Sequence, residues 1–197
     1  MSAPTLAQAH DVALLDLDGV VYAGAAAVPH AVAALTAASQ AGMRLAYVTN
    51  NASRVPSAVA EHLRELGLPA EADDVVTSAQ AGAGVVAGLV PPGALVLAVG
   101  GQGLVAALAE RGLAATSSAD DDPAAVLQGY DPALAWPLLA EGAYALARGI
   151  PWVATNTDLT IPTARGIAPG NGTFVAMLAT TTGRVPLVAG KPEPPLM

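Results

Sequence analysis

Short apolar runs alternate with longer amphipathic stretches along this chain, and the two kinds of block predict strands and helices in turn. VALLDLD (12–18) is short, apolar and rich in branched residues, which reads as a strand buried on both faces. After a Gly- and Ala-rich turn, PHAVAALTAASQAG reads as a helix, with Pro29 near its start and Gly42 just past its end. RLAYVTNN (44–51) is a second strand. In VPSAVAEHLRELG, Pro56 opens a helix, Val59, Leu63 and Leu66 share one face, and Gly67 closes it. DVVTSA (74–79) is a third strand. Strands alternating with helices across short joints predict a parallel sheet wound with right-handed crossovers.

The pattern then restarts. GALVLAVGGQG (93–103) predicts a strand, LVAALAERG a helix, and DDDPAAVLQGY an acidic turn leading into a strand. PALAWPLLAEGAYALARG is a helix ending at Gly149, and IPWVATNTD (150–158) is a strand. GNGTFVAMLATTTG opens a last helix, and PLVAGKPEPPLM holds a final strand. Glycine and proline accumulate in QAGAGVVAGLVPPG (80–93), so the expected division is one α/β domain of residues 1–81 and 183–197, with a second α/β series, 82–182, inserted into it.

Composition narrows the function classes. Of the 197 residues, 53% are hydrophobic, which secures a packed core. The net charge of −8 and the lack of a basic cluster argue against a nucleic-acid partner, and with 4% aromatics there are no stacking platforms for single strands. The absence of cysteine excludes disulfides, thiolate metal sites and a cysteine nucleophile. No apolar window is long enough to span a membrane and the N-terminus lacks a signal-peptide pattern, so a cytoplasmic protein is expected.

Against that background, Asp16 and Asp18 stand out at the end of the first apolar run, in a chain that is only 12% charged. Residues i and i+2 of a strand point the same way, and ligands of open parallel sheets sit beyond the carboxyl ends of the strands. Two close carboxylates repel unless a cation or a shared proton relieves them. Mg²⁺ suits such a pair, since it takes one or two carboxylates plus phosphate oxygens. The second strand ends in Thr49, Asn50 and Asn51, and the last ends at Lys191, one of only eight Lys and Arg residues. An acidic nucleophile, a hydroxyl with amide donors, and a cation at three strand ends point to phosphoryl transfer.

DLDGVVY, then VTNN, then AGKP, in this order, resemble the haloacid dehalogenase superfamily. The closest likeness is to subfamily IIA, the NagD-like phosphatases acting on glycerol phosphate, phosphoglycolate or pyridoxal phosphate. The resemblance implies an α/β fold with a Rossmann-like parallel-sheet core and an inserted α/β cap of type C2. It implies a Mg²⁺-dependent phosphatase for a small phosphorylated metabolite. Asp16 would be the nucleophile forming an aspartyl-phosphate, and Asp18 the general acid and then base. The Asp16 carboxylate and the Asp18 carbonyl would hold Mg²⁺. Thr49 and the Asn50 amide would grip the phosphoryl oxygens, with Asn51 beside them, and Lys191 would neutralise developing charge. The stretch 155–174 would face the leaving group, with Asp158 and Arg165 as substrate contacts.

One departure shapes the expectation. The family's fourth motif, an acidic cluster completing the metal shell, should follow the lysine, yet the sequence stops at Met197. The chain therefore reads as truncated, with an incomplete core sheet whose exposed edge is where a homo-oligomer would form. Two function classes follow: a phosphatase, or a non-catalytic product that keeps only phosphate or metabolite binding. A rival signal, Gly101-x-Gly103-x-x-Ala106 followed by Asp120, has the spacing of a dinucleotide fingerprint but also suits an ordinary strand–helix joint. A receiver domain is disfavoured because the aspartates lie on the first strand rather than the third. Ser78 lacks a histidine partner for a triad, and His62, among charged neighbours, reads as solvated.

Overall fold

Parallel strands carry both halves of the chain in the computed structural model, which describes residues 5–163 and 165–196. Residues 1–4, Ala164 and Met197 fall within the domain ranges expected above but lie outside the described residues. The chain divides into two compact units, the first made of residues up to Thr49 together with Pro56–Val76, the second of Asn50–Val55 and everything from Thr77 onward.

In the first unit a short helix, α1 (Leu6–Ala9), leads into β1 (Val12–Leu15). A small hairpin of β2 (Tyr22–Ala23) and β3 (Ala26–Ala27) precedes α2 (Ala31–Gln40), β4 (Arg44–Thr49), α3 (Pro56–Glu65) and β5 (Val75–Thr77). The sheet order is β1-β4-β5, and β1 runs parallel to β4 with Val12 opposite Arg44 and Leu15 opposite Tyr47. The helical spacing of Val59 and Leu63 holds: both are buried, in one cluster with Leu17, Leu45, Tyr47 and Val75. β1, however, is not buried on both faces. It is an edge strand of this sheet, and Val12 and Leu14 remain 44% and 60% exposed. His62 is not simply solvated either, because its ring meets Tyr22 edge-on at 5.0 Å.

Tyr47 supplies a stability test. Its hydroxyl is buried without a hydrogen-bond partner. Burial, and secondarily the Asp74 carboxylate, raise its pKa above the ordinary 10.0. The folded state thus keeps a proton that the unfolded chain releases, so this contribution is intact below the ordinary value and is lost as the solution becomes more alkaline. Tyr47→Phe is expected to leave neutral-pH stability unchanged or raise it by up to about 1 kcal/mol. It should also flatten the loss of stability above about pH 10. Chemical denaturation of both proteins between neutral pH and about pH 11 reads this; a variant less stable at neutral pH would refute it.

The second unit begins its regular structure with α4 (Ser78–Ala87) and continues through β6 (Leu95–Val99), α5 (Gln102–Glu110), β7 (Ala114–Thr116), β8 (Ala125–Gln128) and α6 (Trp136–Leu146). It ends with β9 (Trp152–Ala154), a hairpin of β10 (Thr160–Thr163) and β11 (Gly166–Pro169), α7 (Asn171–Thr182) and β12 (Leu187–Val188). The sheet order is β12-β9-β8-β6-β7, with all pairs parallel. Leu97, Val126 and Trp152 of its strands pack with Leu139 and Leu146 of α6 and Val175 and Leu178 of α7.

Several elements depart from the sequence expectation for local reasons. DVVTSA stops being a strand at Thr77, which caps α4: its Oγ1 accepts the Gln80 N–H, and its own N–H donates to Gln80 Oε1. The glycine-rich stretch after it is helical through Ala87, so α4 runs across the 81/82 position. Gly82 within it serves close packing, since a Cβ there would lie 2.8 Å from Leu127 Cδ1. Residues 114–116 add an edge strand, and 160–169 form a hairpin rather than a loop. The final strand, expected with the first α/β series, pairs instead with β9 in the second sheet, Leu187 opposite Val153.

Candidate active site

In the first unit, β1 gives out at Leu15 and the next three residues alternate. Asp16 and Asp18 are exposed while Leu17 between them is fully buried. Burying that leucine sends both carboxylates to the solvent side, as the i, i+2 spacing requires. The Leu17 N–H donates to Asp16 Oδ1 at 2.8 Å. The chain then folds back tightly, with the amides of Val20, Val21 and Tyr22 all directed at the Leu17 carbonyl and the Gly19 N–H donating to the Tyr22 carbonyl. Gly19 has φ of +79°, a conformation that disfavours any side chain there. Asp18 thereby forms a bridge to Tyr22. In the adjacent parallel strand, β4 ends at the fully buried Thr49. Asp16, Asp18 and Thr49 therefore belong to the carboxyl ends of neighbouring strands.

In the second unit, Asn50 gathers two of the other expected site residues. Its Oδ1 accepts the Lys191 N–H at 2.8 Å, and its Nδ2 donates to the Lys191 carbonyl at 3.2 Å and to Asp158 Oδ2 at 3.0 Å. One carboxamide thus brackets the Lys191 backbone from both sides, much as a neighbouring strand would. The Lys191–Pro192 peptide bond is cis. Asn51 closes its own turn, its Oδ1 accepting the Ser53 N–H and hydroxyl at 2.9 and 2.8 Å. Arg165 lies exposed in the β10–β11 turn, its N–H donating to Thr163 Oγ1, whereas Asp158 receives its side-chain hydrogen bond from Asn50. Ser78, set aside as a nucleophile, is fully buried and donates to the Asn50 carbonyl at 2.6 Å. The sequence signal that could have flagged it is its place at the start of α4, directly after a strand end.

The rival glycine turn does not read as a phosphate cradle. A cleft of about 800 Å³ opens beside it, lined among others by Gly101, Gln102, Thr116, Ser117 and Asp131, with no Lys or Arg in its wall. A Cβ on Gly101 would lie 2.9 Å from Asp131 Cγ. A carboxylate therefore stands at the amino end of α5, where a pyrophosphate would need to sit. Asp120, the fingerprint's acid, lies exposed in a 3-10 turn facing Arg148 at 3.9 Å.

The family model for haloacid dehalogenase-like hydrolases matches residues 13–114, just over half of the chain and including both aspartates and the Thr-Asn-Asn turn. The chain belongs to this family. A D-glycerol 3-phosphate phosphatase of Mycobacterium tuberculosis is 49% identical over 193 residues, 98% of this chain and 54% of the relative. An acid sugar phosphatase of Staphylococcus aureus is 37% identical over 93% of this chain and 70% of its own length. The crystal structure of glycerol phosphate phosphatase from Mycobacterium tuberculosis in complex with magnesium superposes with a TM-score of 0.93 at 49% identity, covering 100% of this chain and 59% of that one. This family member thus spans little more than half the length of the first of these relatives. Among its described residues, no helix is long and apolar enough to cross a membrane.

Proposed function

We propose that this chain carries the phosphoryl-transfer residues of a Mg²⁺-dependent phosphomonoesterase acting on a small phosphorylated metabolite, of the glycerol phosphate or phosphoglycolate class. The observation that carries the reading is the pair of exposed carboxylates leaving the end of β1 beside β4, which ends at Thr49. The relatives named glycerol phosphate and acid sugar phosphatases support it.

In this reading an Asp16 carboxylate oxygen attacks phosphorus, the bond from phosphorus to the substrate's alcohol oxygen breaks, and Asp18 protonates that oxygen as it leaves. Asp18 then takes a proton from the water that attacks the aspartyl-phosphate, which releases inorganic phosphate and restores Asp16. The Thr49 hydroxyl and the Asn50 N–H bind phosphoryl oxygens beside Asn51, and the Lys191 ammonium offsets charge developing in flight. Asp158 and Arg165 contact the leaving group. The Asp16 carboxylate and Asp18 carbonyl would hold Mg²⁺, which supplies charge neutralisation at the phosphoryl oxygens. The donor set fits: both are hard oxygens on exposed residues separated by one buried position. Among the described residues no group of three or more acidic or histidine side chains is placed to hold a metal ion by itself, and Mg²⁺ commonly completes such a shell with water and phosphate oxygens. The proposed setting is cytoplasmic, and the net charge of −8 favours a small metabolite over nucleic acid as partner.

Hydrolysis of p-nitrophenyl phosphate and of glycerol 3-phosphate by the full-length protein tests this. Turnover that falls at least about 100-fold with EDTA and returns with Mg²⁺ is the expected result. Metal-independent turnover would sink the reading, and so would phosphate binding with no turnover, which leaves a binding-only protein.

A further inference from the structure

We infer that Asn156, together with Ser78, is a positioning residue that sets the Asn50 backbone and, through Asn50, the Lys191 segment. The Asn50 carbonyl accepts two side-chain hydrogen bonds, from Ser78 Oγ at 2.6 Å and from Asn156 Nδ2 at 2.7 Å. Both donors are buried, Ser78 fully and Asn156 to within 4%. Asn156 is itself fastened at both ends. Its Oδ1 accepts the Asp158 N–H at 3.1 Å, and its carbonyl accepts Asn171 Nδ2 at 2.7 Å, Asn171 being 1% exposed.

A buried amide that lost its partners would cost more than the bond itself contributes, so these groups are locked to one another. The lock has a direction. Asn171, on the first turn of α7, sets the end of the β9 segment; Asn156 there sets the Asn50 carbonyl; and Asn50 uses its remaining side-chain donors and acceptor on Lys191 and Asp158. Three segments far apart in sequence, 50, 156 and 191, are thus tied through one asparagine side chain and one carbonyl. Side-chain contacts leave little slack around them: a Cβ on Gly190 would lie 3.1 Å from Asn156 Cβ and 2.8 Å from Asn50 Oδ1. Ser78 and Asn156 touch neither phosphate nor metal in the proposed reaction, so their effect on turnover, which rests on the phosphatase reading above, runs through Asn50 and Lys191.

Asn156→Asp keeps the shape and the acceptor for the Asp158 N–H but replaces the donor to the Asn50 carbonyl with a carboxylate oxygen. Ser78→Ala removes the second donor with the smallest possible change and serves where Asn156→Asp fails to fold. Full-length protein is assayed for kcat and KM with p-nitrophenyl phosphate and Mg²⁺, and the Lys191 amide is followed by hydrogen exchange. For a folded variant, kcat is expected to fall about 10- to 100-fold with KM changed less than about threefold. The Lys191 amide should exchange at least about tenfold faster. Unchanged exchange in both variants overturns the clamp, and faster exchange with unaltered kcat overturns its positioning role. If the unmutated protein hydrolyses nothing, the phosphatase reading falls on its own, and the exchange rates still decide whether Asn156 and Ser78 hold Lys191.

Discussion

Asp16→Asn is expected to abolish Mg²⁺-dependent hydrolysis, with kcat reduced on the order of 10⁴-fold or more. The carboxamide matches the carboxylate in size, and its oxygen can still accept the Leu17 N–H that Asp16 Oδ1 takes at 2.8 Å. The tight turn through Gly19 should survive for that reason, and the melting temperature should stay near that of the parent. What is lost is the anionic oxygen that would form the ester to phosphorus, together with the carboxylate that would hold Mg²⁺ beside the Asp18 carbonyl. Rapid acid quenching with labelled substrate should trap phosphorus on the parent protein and none on the variant. A variant retaining a tenth of parental turnover would remove Asp16 from the nucleophile's role.

Gly190→Ala should damage both stability and turnover, for a steric reason. Gly190 is not among the glycines with positive φ, so its backbone conformation alone would tolerate alanine. Its surroundings would not. The new methyl would come within 2.8 Å of Asn50 Oδ1 and closer still to the Thr155 carbonyl oxygen. A backbone carbonyl on the residue that directly follows β9 cannot swing aside as a flexible side chain can. The expected result is a loss of about 2–4 kcal/mol in stability. Turnover should fall by about 100-fold as the Lys191 N–H to Asn50 Oδ1 bond is displaced. Gly84→Ala on α4 is the control, because its Cβ would meet only the end of the Arg111 side chain at 3.5 Å. It is expected to be neutral or to stabilise by up to about 1 kcal/mol. Thermal melts and p-nitrophenyl phosphate assays on both variants read the difference, and a Gly190→Ala protein as stable and active as the Gly84→Ala control would refute the argument.

The strands and helices with strong periodicity were legible because their burial follows from spacing alone. Val59 and Leu63 face the core as expected, and Pro56 and Gly67 bound α3. Several short pieces were not. β7 is three residues long, too brief for a period to register, and the β10–β11 hairpin carries polar residues because it is largely exposed. β1 misled for the opposite reason: its apolar run resembles a central strand, but exposure depends on neighbours that the run itself does not name.

Asp16 and Asp18, Thr49 and Lys191 drew notice because carboxylates, hydroxyls and cations at strand ends are chemically conspicuous, and the order of their motifs resembles the family's, whose model matches the stretch holding the first three. Asn156, Asn171 and Ser78 are ordinary polar residues in sequence, common in caps and loops. Their importance is a matter of burial and of which carbonyl each one reaches.

By itself, the order of residues determined the α/β class, the alternation of strands and helices, the family, and the candidate groups proposed for phosphoryl transfer, because each depends on local pattern or on side-chain type. Only the tertiary structure decided that β12 pairs with β9, that Asn50 brackets Lys191, and that two buried side chains aim at one carbonyl. Such contacts join positions from 28 to 141 residues apart, and a hydrogen bond is set by distance and direction in space, which no local pattern encodes.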